Sequence, residues 1–84
     1  MPIMNALHDS RLFLTKLDEQ IIQLIQDRAQ QCRELSDSGD AITPEEEAEI
    51  LGYWLEEAAD LELDEILTEK ICKCVLLMSR KLEE

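Results

Sequence analysis

The sequence predicts an all-α domain of three helices, the first much longer than the other two. Three observations carry that expectation. Apolar residues recur at steps of three and four rather than alternating. Helix-start chemistry is written at Thr43 and again at Asp64. The composition is 45% hydrophobic but only 4% aromatic, with two Gly and two Pro, which suits helices joined by few turns and lacks the β-branched and aromatic content of sheets.

The first helix is read from Leu7, Leu14, Leu17, Ile21, Leu24, Ile25 and Leu35, with Ile22, Ala29 and Cys32 widening the stripe. Its start lies near Asn5 or Asp9. Its stop lies in Ser36-Asp37-Ser38-Gly39-Asp40, where Gly39 can take the left-handed cap. About 28 residues at ~1.5 Å each make a rod of about 40 Å. The second helix opens with Thr43 as N-cap, Pro44 at the first helical position and Glu46 completing a capping box. Glu45 and Glu47 add negative charge at its positive end. Its apolar face is Ile50, Leu51, Trp54, Leu55 and Ala58, and it fades near Ala59 to Leu61. Asp64 then caps a third helix with the stripe Leu67, Ile71, Cys74, Val75, Met78 and Leu82.

A chain of 84 residues is one domain, 1–84, and buries only roughly 60 to 65% of its unfolded surface. The first helix outreaches both partners by several turns, so its surplus apolar stripe needs cover. A second copy about a two-fold axis is the expected solution. The competing arrangement is a monomer whose first helix breaks near Asp9 to Arg11. With 20 acids against 8 bases, net −12, the surface repels nucleic acid and anionic lipid. No run approaches the roughly 18 apolar residues of a membrane span, and Met1 to His8 form no basic leader. A cytoplasmic protein is expected. Cys32, Cys72 and Cys74 are then reduced thiols serving as small core hydrophobes. The spacing of Cys72-x-Cys74 with Cys32 and His8 is poor for zinc, so no metal is expected.

Two arginines stand out. Arg28 shares a heptad position with Leu7, Leu14, Ile21 and Leu35, so a guanidinium interrupts a stripe that should be core, and burying it without an anion is costly. Either its stem lies along the apolar surface with the head in solvent or paired with an acid such as Glu47, or it lines a pocket for a carboxylate. Arg11 lies about five turns earlier. It is either an exposed arginine at the helix start or part of the same seam. In an antiparallel pairing of two first helices, Arg11 of one chain approaches Arg28 of the other.

The segment Arg11-Leu12-Phe13-Leu14-Thr15-Lys16-Leu17-Asp18-Glu19-Gln20-Ile21-Ile22-Gln23-Leu24-Ile25-Gln26-Asp27-Arg28 resembles the first-helix signature of the helical chorismate mutases: an arginine, Leu-Asp, paired aliphatics, then a second arginine. The resemblance covers about a third of the chain well, and the rest in helix order and approximate lengths. It implies an intertwined homodimer that converts chorismate to prephenate with no cofactor and no covalent intermediate. It also implies that Arg28, with Arg11 from the other chain, binds a dicarboxylate, while Glu47 and Glu83 contact the hydroxyl and ether region. Ser79 followed four residues later by Glu83 fits the family's third-helix pattern. A Claisen rearrangement needs the substrate held compact, with positive groups near the breaking ether bond, and no general base.

The sequence also departs from that pattern. The family's lysine beyond the second arginine falls at Gly39, and an arginine of the second helix falls at Glu46. Arg33 and Lys73 are the obvious bases left, and neither stands at a matching position. Losing one cationic donor costs on the order of 3 kcal/mol of transition-state stabilisation. Two further readings therefore stand beside the mutase: a non-catalytic interaction or regulatory module of the same fold, and a pyruvate-releasing lyase acting on isochorismate.

Overall fold

A computed structural model describes the backbone of residues 2–80 and the side chains of residues 8–80. It contains α1 (Pro2–Asp37), α2 (Pro44–Asp60) and α3 (Glu65–Ser79), and no strand among the described residues. The fold is all-α, as the periodicity predicts.

α1 is longer than expected. It runs unbroken through Asp9 to Arg11, because Asp, Ser and Arg each keep the backbone N–H and cost at most about 0.7 kcal/mol against alanine, where a proline would cost about 3. Thr15 hydrogen-bonds back to the Arg11 carbonyl at 3.1 Å without interrupting the helix. The break near Asp9 to Arg11 expected of the alternative arrangement therefore does not form. The stop is where the turn formers place it. Asp40 N–H donates to the Leu35 carbonyl at 2.8 Å and Gly39 N–H to that of Ser36 at 3.1 Å. Gly39 sits at φ 86°, which completes a Schellman cap that a Cβ would strain.

α2 opens with both halves of the capping box: Glu46 N–H donates to Thr43 Oγ1 at 3.1 Å, and Thr43 N–H to Glu46 Oε1 at 2.9 Å. Asp64 caps α3 by accepting from Leu67 N–H at 2.8 Å. The turn between them repeats the Schellman pattern, Leu63 N–H to the Ala58 carbonyl at 2.8 Å and Glu62 N–H to that of Ala59 at 3.2 Å. Here a non-glycine, Glu62, takes the left-handed position at φ 59°, at a cost of about 1 kcal/mol.

α3 is the shared element, packed against both α1 and α2. On α2 the inward residues are half-buried Ile50, Leu51, Trp54 and Leu55 with buried Ala58, the face predicted from periodicity. On α3 the buried residues are Cys72, Val75, Leu76 and Ser79, so Val75 of the expected stripe faces inward and the rest of that stripe is corrected. Leu67, Ile71, Cys74 and Met78 are exposed within the chain, while Leu82 lies outside the described residues. α3 is apolar on most of its circumference, so periodicity alone could not say which side faces inward. Being sandwiched between two helices sets the side.

Among the residues whose side chains are described, α1 contributes to this core from Ile25 onward, through half-buried Ile25, Arg28, Cys32, Leu35 and Ser36 and buried Ala29. Residues 8–24 are all exposed. The molecule accordingly measures 57 × 28 × 19 Å with a radius of gyration of 16.8 Å, against about 12 Å for a compact chain of this length. Its accessible surface is 7192 Å², against about 5,100 Å² for a compact monomer of this mass. No helix among the described residues is long and apolar enough to cross a membrane.

Candidate functional site

The principal cleft, about 470 Å³, lies where the C-terminal end of α1, the connection into α2 and the end of α3 meet. That volume falls within the range of small-molecule sites. Arg28, Cys32 and Ser36 come from α1, on one face at helical spacing. Ala41 and Ile42 come from the connection, Pro44 and Glu47 from the first turn of α2, and Leu76, Ser79 and Arg80 from α3 and its cap. The short turn enforced by Gly39 brings the α2 start beside the α1 end, and Asp64 sets α3 running back toward them.

Arg28 is half-buried and its guanidinium is held by neutral groups. It donates to Ser79 Oγ at 3.1 Å and approaches Cys32 Sγ at 3.7 Å. Ser79, 5% exposed, donates its hydroxyl hydrogen bond to the Val75 carbonyl at 2.8 Å, which leaves its oxygen lone pairs free to accept from Arg28. Among the described residues no carboxylate pairs with Arg28. Glu47 is not its counter-ion: the Glu47 carboxylate accepts from Arg80 at 2.9 and 3.4 Å. The cleft therefore presents one cation tethered by hydroxyl and sulfur, and a second neutralised by an acid.

The predicted residues separate into three groups. Arg28, Glu47 and Ser79 come together in the cleft. Arg11 is exposed, about 25 Å along the helix from Arg28, so one chain cannot bring both to one ligand. Glu83 lies outside the described residues. Glu46 does not line the cleft; its side chain is engaged in the capping box. Arg33 is exposed and away from the cleft, and Lys73, paired with Glu69 at 2.9 Å, lines a smaller depression beyond the Arg80–Glu47 pair.

Arg80 is the functional candidate that sequence reasoning missed. Arg33 and Lys73 are the bases that the sequence brings forward, whereas Arg80 stands one residue past Ser79, at the helix C-cap. The available signal was that adjacency: a residue leaving the helix beside an inward serine can turn its side chain back over the same cleft.

The Cys72 thiol is pushed up by burial, opposed by the positive charge of Arg28 across the α1–α3 contact. Cys74, expected in the core, is exposed, because the inward face of α3 is one residue round from the predicted stripe. Among the described residues no group of three His, Cys, Asp or Glu side chains is placed to hold a metal ion. Compared with protein-family models, curated proteins and solved structures, the chain matches none.

Proposed function

We propose that the chain is a chorismate mutase-like protein whose cleft binds a dicarboxylate, acting as a homodimer. The observation that carries the proposal is Arg28: a half-buried guanidinium at the wall of a cleft of suitable size, fixed by Ser79, with no carboxylate partner among the described residues. A cation held by neutral acceptors is pre-positioned for an anion from outside, and its planar fork matches a carboxylate.

The dimer is supported by surface. The excess over a compact monomer is roughly 2,000 Å², ample against the roughly 1,000 Å² or more per partner that obligate interfaces bury. Part of the exposed apolar surface lies on the side chains of residues 8–24, such as Leu14, Ile21 and Leu24. In an antiparallel pairing of two α1 helices, an Arg11 from the second copy would reach the Arg28 cleft. In that arrangement chorismate would be gripped by its carboxylates and held compact while the ether bond breaks and the new carbon–carbon bond forms.

One observation favours a second reading, binding without turnover in a non-catalytic interaction or regulatory module. The two positions where the resembled family carries bases are spent on helix boundaries, Gly39 on the α1 cap and Glu46 on the α2 capping box. Following chorismate absorbance with purified protein separates the two: loss of the signal with formation of prephenate establishes the mutase, and saturable binding without loss establishes the module. Arg28→Leu tests the site itself. Because no carboxylate among the described residues is stranded by the change, stability should hold or rise, while dicarboxylate binding disappears. A marked fall in melting temperature with binding intact would end the proposal.

A further inference from the structure

We infer that Arg80 is a second anion clamp of the same cleft and that Glu47 is its counter-ion in the empty site, so that a ligand with two negative groups is gripped by Arg28 and Arg80 together. The inference rests on the reading of the cleft as an anion site and names a residue that the resemblance does not supply.

Geometry places the two guanidinium groups on one cavity. Both side chains line it, and Arg28 is anchored to the hydroxyl of Ser79, the residue immediately before Arg80. Arg80 has left the helix: its backbone is extended at φ −76° and ψ 144°, which frees the side chain from the rotamer restrictions of a helical turn. Its ion pair with Glu47 is unequal, the arginine side chain 55% exposed and the glutamate 21%. Glu47 is the fixed partner, Arg80 the movable one. A pair this open to water contributes little to stability and is easily exchanged for another carboxylate.

Charge points the same way. Among the described cleft residues Arg28 and Arg80 stand against Glu47 alone, because Glu46 is turned to the cap. The pair also forms the partition between the main cleft and the neighbouring depression, since Glu47, Leu76 and Arg80 line both. When Arg80 turns to an anion, Glu47 is released as an acceptor for a ligand hydroxyl. Its role toward Arg80 is positioning.

The test is a binding titration of full-length wild type, Arg80→Gln, Glu47→Gln and the double variant, with chorismate and malonate as probes and circular dichroism to verify folding. Arg80→Gln should weaken both probes at least tenfold. Glu47→Gln, whose amide still accepts a hydrogen bond, should tighten them severalfold by releasing Arg80. In the double variant that gain should vanish. Wild-type affinity in Arg80→Gln would overturn the inference, as would a loss in Glu47→Gln equal to that in Arg80→Gln. An equal gain from Glu47→Gln with and without Arg80 would also overturn it, because Glu47 would then act only by repelling the ligand. If malonate shows the expected pattern and chorismate does not bind, the clamp stands and the chorismate reading falls. If neither probe binds the folded wild type, both fall.

Discussion

The two ends of α1 share one helix and opposite fates. From Ile25 to Asp37 the helix packs on α3 and helps wall the cleft; from His8 to Leu24 every residue is exposed. Yet the exposed stretch is the more apolar of the two, carrying Leu12, Phe13, Leu14, Leu17, Ile21, Ile22 and Leu24, while the packed stretch offers Ile25, Ala29, Cys32 and Leu35 with Arg28 among them. Periodicity makes the helix in both places. Burial depends on whether the rest of the chain is long enough to supply a partner, and α2 with α3 reaches only one end. The comparison teaches that apolar content along a long helix reports a demand for cover, which the same chain need not meet.

The largest expected effect tests that demand at Ile21, 55% exposed within the chain. If a second copy covers it, Ile21→Ala should cost about 2–4 kcal/mol and lower the midpoint of unfolding more at low protein concentration than at high. Light scattering should then return a mass nearer 9.7 kDa for the variant and about twice that for wild type. If the residue faces water, the change stays within about 0.5 kcal/mol, and the contrast between the two ends is one of exposure alone.

A smaller effect belongs to the packed end. Cys72 is buried, Cys32 half-buried and Cys74 exposed, so iodoacetamide should label Cys74 first, Cys32 more slowly and Cys72 only on unfolding. The Cys72 thiol is raised in the folded chain by burial, so the folded state holds its proton more tightly than the unfolded state. Its contribution is full below the ordinary thiol value of 9.0 and is lost as pH rises through the higher folded value. Urea melts across the alkaline range should show the decline in wild type and a shallower one in Cys72→Ala. Equal labelling rates for Cys72 and Cys74 would mean that the α1–α3 contact opens readily.

The smallest effect lies at the turn between α2 and α3. Glu62→Gly removes a side chain from a left-handed position and should raise stability by about 0.5–1 kcal/mol. The gain should be independent of protein concentration, in contrast to Ile21→Ala. A loss on this substitution would show that the Glu62 side chain makes a contact worth more than the strain.

The sequence by itself determined the local events. Thr43 with Glu46, Asp64, and Gly39 in its turn mark helix boundaries through contacts between neighbours in the chain, so the boundaries could be read from residue type and spacing. The apolar face of α2 was equally legible, because its five inward residues are bordered by a charged face that leaves one orientation possible. Only the tertiary structure decided which side of α3 turns inward, since Leu67, Ile71, Cys74 and Met78 compete with Cys72, Leu76 and Ser79, Val75 stands at the border of both sets, and each has helical spacing. It also decided the partners of the charged side chains. Arg28 interrupts its apolar stripe in the sequence, but that it meets Ser79 while Glu47 meets Arg80 depends on residues more than thirty positions apart. Such pairings are set by how the three helices cross, and helical periodicity carries no information about a crossing.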